Sequence, residues 1–313
     1  MASRCLYLFL SISVAVSAGQ RLHSSVDELD QVGIFALHRG NKEYVKLLED
    51  AGELLPNIIH RSIPFNSSLE RVVVVGDVHG CLEELHDLLH KVNFQQHRDL
   101  LLFTGDLGNR GPYSVQVIQE IQRLGGISAR GNNDDAALAA WEAYQKGDPI
   151  PLIFDWVKEL PVEDARWLYE LPWSVSVPHL NLVVVHGGLI PGVRLERQSL
   201  DDIYEVREVV PLDRAETRWR MVQKGIEEGV AWASIWDGPQ YVVFGHDAKR
   251  GLQKGMAMAT GLDSGVCYGF KLTAVVVDAR MGPLQMQGLQ AGNGAGMNGN
   301  LQYVSVDAHK RYA

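Results

Sequence analysis

Short runs of apolar, mostly β-branched residues alternate along this chain with segments whose leucines and isoleucines recur at helical spacing. The stretch RVVVVGD at 71–77 reads as a buried strand that enters a Gly-Asp turn. CLEELHDLLHKV follows, with leucines at 82, 85, 88 and 89 on one helical face. DLLLFTGD at 99–106 and the helical SVQVIQEIQRL repeat the unit, and GISARGNND at 126–134 with AALAAWEAYQ repeats it again. Each strand therefore ends in a Gly-polar cluster before a helix. In an open α/β sheet that carboxyl edge is where ligands bind.

Beyond residue 150 the rhythm changes. PLIFDWVKELP and ARWLYELP read as helical inserts stopped by proline. Three further apolar runs, LNLVVVHGG at 180–188, YVVFGHD at 241–247 and LTAVVVD at 272–278, predict strands of a second sheet packed on the first. LQMQ and LQYVSV predict a hairpin around a Gly/Asn-rich loop at 282–300. The start, MASRCLYLFLSISVAVSAGQ, has Arg4, an apolar stretch from Cys5 to Val16 and small residues at Val16 and Ala18. It predicts a signal peptide over 1–18, too short for the ~20 residues of a spanning helix. The expected organisation is then an N-terminal extension at 19–69 and a main domain at 70–308. The signal implies the secretory pathway, with no membrane span after cleavage; if unused, it leaves the chain in the cytoplasm.

With 313 residues, 46% hydrophobic and 21% charged, the chain can bury a full core. Its net charge of -9 argues against coating nucleic acid, so a polyanionic substrate must be met in a local pocket. Outside the signal only Cys81 and Cys267 remain, which predicts buried thiols rather than a disulfide framework.

The strand ends carry the chemistry. They offer Asp77 and His79 in GDVHG, Asp106 in GDLGNRG, Asn132 in RGNND, His186 in VHGG and His246 in FGHD. Taken singly, each is an ordinary turn residue, helix cap or hydrogen-bonded histidine. Together they are oxygen and imidazole donors suited to first-row divalent ions, rather than the all-oxygen shells of magnesium or calcium. In two-metal sites a carboxylate bridges ions roughly 3.5–4 Å apart, and Asp106 is the natural middle member. Asp134 or Asp135 is expected to cap the helix that follows.

The ordered set GDVHG, GDLGNRG, GNND, HGG and GHD resembles the calcineurin-like metallophosphoesterases of the phosphoprotein phosphatase superfamily. GDLGNRGP, TRWR and LDSGVCYG are similar to the diadenosine tetraphosphatase (ApaH-like) branch, including eukaryotic enzymes of the vacuolar endopolyphosphatase type. The resemblance implies a four-layer α/β sandwich, two mixed β-sheets flanked by helices. It implies that Asp77, His79 and Asp106 bind one metal, that Asp106, Asn132, His186 and His246 bind the second, and that the ions are manganese, zinc, iron or cobalt. Arg110 is implied to hold phosphate, Arg218 and Arg220 to add phosphate contacts, and Tyr268 to wall the pocket. The implied activity is hydrolysis of a phosphorylated small molecule or polyphosphate by hydroxide activated between two metals.

Two positions depart from the family pattern. Asn133 stands where the superfamily usually has a His that protonates the leaving group, and Asn109 where the protein-phosphatase branch has the Asp that orients it. A general acid contributes about 10²–10⁴-fold. Its loss matters least for phosphoanhydrides, whose leaving group is already a good one. Polyphosphate or dinucleoside polyphosphates are therefore favoured. A Ser/Thr protein phosphatase and a phosphate-binding protein impaired by Asn133 remain the alternatives.

Overall fold

In the computed structural model the described residues are 56–64, 66–222, 228–284 and 301–313. A short β1 (His60–Ser62) precedes β2 (Arg71–Val75), the first of the apolar runs. Two crossover helices, α1 (Leu82–Lys91) and α2 (Ser114–Arg123), return the chain to β3 (Asp99–Phe103) and β4 (Ile127–Ser128), β3 pairing parallel with β2 and β4 parallel with β3. Residues 129–131 connect β4 to α3 (Asn132–Gln145), so the helix begins within RGNND, at Asn132, with Gly131 as its N-cap.

The middle of the chain supplies α4 (Val162–Tyr169), the antiparallel pair β5 (Ser174–Val177) and β6 (Leu182–Val185), and a short α5 (Leu200–Glu205). Next come β7 (Glu208–Pro211), β8 (Trp219–Met221), β9 (Val230–Ala231) and α6 (Trp232–Ile235). The last strands are β10 (Tyr241–Phe244), β11 (Ala259–Gly261), β12 (Lys271–Asp278) and β13 (Leu301–Asp307). They assemble two mixed five-stranded sheets, in the orders β13-β12-β2-β3-β4 and β1-β5-β6-β10-β11, and a three-stranded β8-β7-β9 sheet that no sequence pattern announced.

The continuous valines of β2 have a structural reason. Val72 and Val74 face the second sheet, in a core shared with Val183, Val185 and Val243. Val73 and Val75 face the helices, beside Leu85, Leu88 and Ile118. A strand buried on both faces has no polar alternation to show.

β13 pairs antiparallel with β12. The hairpin partner expected at LQMQ lies outside the described residues beyond Leu284, as do the Gly/Asn-rich stretch at 285–300 and the expected signal at 1–18. β1 falls in the stretch read as an extension, yet it lies in parallel register with β5 as an edge strand. Cys81 and Cys267 are free and buried, as expected. Among the described residues no helix is long and apolar enough to cross a membrane.

Candidate metal centre and active site

The carboxyl ends of β2, β3 and β4 in one sheet and of β6 and β10 in the other meet in a single cleft. Asp77, Asp106, Asn132, His186 and His246 each stand within four residues of such an end, and His79 follows Asp77 in the same turn. Bringing them together bends the backbone: His79, Asp106, Asn109, Arg110 and His246 have φ of 49°, 53°, 72°, 74° and 68°. Left-handed backbone at non-glycine residues is costly and clusters at functional sites. Close approach sets the glycines as well. A Cβ on Gly245 would lie 1.9 Å from Asp77 Oδ1, and one on Gly131 would lie 2.3 Å from Asp106 Oδ1.

The three imidazoles share one device. His79 Nδ1 donates to the Gly108 carbonyl at 3.2 Å, His186 Nδ1 to that of Thr104 at 2.9 Å, and His246 Nε2 to that of Glu205 at 3.1 Å. A carbonyl only accepts, so each ring's other nitrogen is left with a lone pair aimed inward. His246 Nδ1 then lies 3.1 Å from His186 Nε2, and these nitrogens lie 3.0 and 2.9 Å from Asn132 Oδ1. Asp106 Oδ1 is 3.4 Å from His186 Nε2. Acceptors converge on acceptors, with Arg207 Nη2 reaching His246 Nδ1 at 3.3 Å and Arg110 Nη1 reaching His79 Nε2 at 3.2 Å, an arrangement that fits a cation. On the other side of Asp106, ligand atoms of Asp77, His79 and Asp106 all lie within 4.8 Å of one another.

Charge supports the same reading. Burial, with Asp263 and Asp106 nearby, pushes Asp77 well above the usual carboxylate range. Burial also pushes Asp106 upward, but His186, His79 and His246 outweigh it and hold Asp106 down to about 2. His79 and His246 are lowered, chiefly by burial, which keeps their rings neutral and able to ligate. Buried carboxylates that repel one another beside neutral imidazoles fit divalent metal.

Residues 70–250 match the model of the calcineurin-like phosphoesterase family. The chain belongs to the calcineurin-like phosphoesterases. It is 36% identical over 121 residues to a symmetrical bis(5'-nucleosyl)-tetraphosphatase of Hamiltonella defensa, covering 38% of this chain and 44% of that one. A protein of the same name from Pectobacterium carotovorum is 37% identical over 121 residues, covering 38% and 43%. The chain thus spans less than half the length of these curated relatives. A crystal structure provisionally assigned as a diadenosine tetraphosphatase superposes with a TM-score of 0.65 at 32% identity, covering 80% of this chain and 98% of that one.

In this phosphoesterase the two carboxamides that break the family pattern are bonded to each other. Asn109 Nδ2 donates to Asn133 Oδ1 at 3.0 Å, and Asn133 Nδ2 donates to Asp106 Oδ2 at 2.6 Å. The Asn133 backbone N–H donates to Asp106 Oδ1 at 2.8 Å, so Asn133 clamps both oxygens of the central carboxylate. Asp134 does more than cap α3: its carboxylate accepts from the N–H groups of Gly131, Asp106 and Leu107, each at 2.9 Å, tying the second and third motifs together. Asp135 instead pairs with the buried Arg130 at 2.8 Å.

The centre opens into a cavity of about 430 Å³. Arg110 and Tyr268 line it, Arg110 Nη1 donating to Tyr268 Oη at 2.6 Å. Arg218 and Arg220 are not brought there. Both belong to the three-stranded sheet region: the Arg218 side chain, 73% exposed, lies 3.5 Å from Asp213, and Arg220 donates to its neighbour's carbonyl, that of Met221. Arg207 takes the place they were expected to fill, with Nη2 3.0 Å from the His246 carbonyl and 3.3 Å from its Nδ1. Asp263 lines the cavity too, and burial raises its carboxyl. No motif marked Arg207. Asp263 lies in LDSGVCYG, five residues before Tyr268.

Proposed function

We propose that this phosphoesterase hydrolyses the phosphoanhydride bonds of dinucleoside polyphosphates, using two divalent ions held by Asp77, His79 and Asp106 on one side and by Asp106, Asn132, His186 and His246 on the other. The mixed nitrogen and oxygen donors suit manganese, zinc, iron or cobalt. When bound, such ions supply Lewis acidity toward water and toward phosphoryl oxygens. The chain's own residues do the rest. Arg110 and Arg207 face the same cavity, where guanidinium groups hold phosphoryl oxygens as negative charge develops. Tyr268 braces Arg110, and the buried Asp106 stays ionised.

The Asn109–Asn133 pair carries the choice of bond. Asn133 is used at both ends of its carboxamide and has no proton to release near neutral pH. An alkoxide leaving a phosphoserine needs that proton; a departing phosphate or nucleotide does not. The names of the bacterial relatives favour dinucleoside tetraphosphates, with inorganic polyphosphate as the second anhydride class. The secretory reading rests on residues 1–18 alone.

The test is turnover of diadenosine tetraphosphate, tripolyphosphate and a phosphopeptide by metal-reconstituted protein. Turnover of the anhydrides with slow phosphopeptide cleavage is expected. Phosphopeptide cleavage of equal efficiency overturns the proposal, and no turnover at all leaves a phosphate-binding protein.

A further inference from the structure

The phosphates of a dinucleoside polyphosphate need cations, whereas its bases need a flat apolar surface. At the lip of the cavity stands Phe270, 65% exposed, on the same wall set as Arg110, Arg207 and Lys249. Its backbone is held on both sides: the N–H donates to the Gly265 carbonyl at 3.2 Å, and its own carbonyl accepts from Ala308 at 2.8 Å. Gly269 before it, at φ +87°, lies against Arg311. The ring therefore projects into water from a fixed mount, where it buries little surface for the fold. Tyr268, the neighbouring aromatic, is already engaged, with the Arg110 guanidinium 5.4 Å over its ring and bonded to its hydroxyl.

Resting on the anhydride reading above, we infer that Phe270 is a stacking platform for a nucleobase, and that it selects nucleoside polyphosphates over bare polyphosphate. Every base has a π-face, so such a platform adds affinity without a hydrogen-bond code. The phosphates then extend from the lip toward Arg110 and the metal donors.

Calorimetric titration with ADP and with pyrophosphate tests this without turnover. The wild type should prefer ADP, and in Phe270→Ala the ratio of the two affinities should fall by about tenfold to a hundredfold. Phe270→Trp should keep the ratio. An unchanged ratio overturns the inference, and so does an equal loss for both ligands, because Phe270 would then shape the phosphate pocket. Turnover separates the two levels. Equal kcat/KM of the wild type on diadenosine tetraphosphate and tripolyphosphate removes the platform and leaves anhydride hydrolysis standing. Phosphopeptide cleavage without anhydride cleavage removes the reading beneath it.

Discussion

The two flanks of Asp106 are built on opposite principles. On one, His186, His246 and Asn132 crowd acceptor atoms to within 2.9–3.1 Å of one another. On the other, Asn109 and Asn133 form a closed chain of donors and acceptors that ends on Asp106 itself. The first flank turns acceptors inward and meets one of them, His246 Nδ1, with the Arg207 guanidinium at 3.3 Å, and the second is closed by its own donors. Protein interiors pair their buried polar groups. Inward-turned acceptors on the first flank fit the proposed cation, and the closed chain on the second supports Asp106.

Removing the shared carboxylate should break this contrast most completely. Loss of one transition-state donor costs about 10²–10³ in kcat, and Asp106→Asn removes a ligand from both metal positions, so a larger loss is expected. Metal content measured on the same samples should fall with activity. Turnover that survives would undo the two-metal reading.

Restoring an acid should convert the satisfied flank. Asn109→Asp with Asn133→His places an oriented imidazole beside the leaving group, a group whose contribution is about 10²–10⁴-fold. The kcat/KM on a phosphopeptide should rise relative to diadenosine tetraphosphate, and more in the double variant than in Asn133→His alone. A ratio unmoved by either variant would show that Asn133 does not set the choice of bond.

How much of this was legible before the fold was known follows from where each residue sits. All six proposed metal donors stand at or just past the ends of apolar runs, and apolar runs are visible. Arg207 directly precedes β7, a four-residue strand of mixed burial at the centre of the three-stranded sheet. Nothing local distinguishes it from Arg218 and Arg220, which were named instead. No motif marks Phe270, which lies just before β12, and its exposure comes from the fold alone. The Asn109–Asn133 bond joins residues 24 apart; the resemblance implies that the two positions act together, and the structure supplies the bond between them.

The packing around Asp77 leaves no slack, which a smaller perturbation can measure. Gly245→Ala would set a Cβ 1.9 Å from Asp77 Oδ1 and 2.6 Å from Thr104 Oγ1. Overpacking of this kind costs about 1–3 kcal/mol. At roughly 2–4 °C per kcal/mol for a domain of this size, the thermal midpoint should drop by several degrees, and added metal should recover less of it than in the wild type.

The smallest effect concerns an imidazole used in the reverse sense. His309 is exposed, with Nδ1 3.2 Å from Glu83 and Nε2 2.7 Å from Asp87, so it donates from both nitrogens and aims no lone pair anywhere. Hydrogen bonds to Asp87 and Glu83 raise its pKa above 6.5. A histidine raised in the folded state contributes its full stabilisation below the unfolded value near 6.5 and loses it as pH rises through the folded one. His309→Ala should therefore lower the thermal midpoint slightly at pH 6 and not at all at pH 9. Solvent screening keeps the difference small. His79 and His246 should behave otherwise, since burial lowers the pKa of both. A pH-independent penalty at His309 would mean that the ring holds residues 308–312 against α1 by packing, and that its charge contributes nothing.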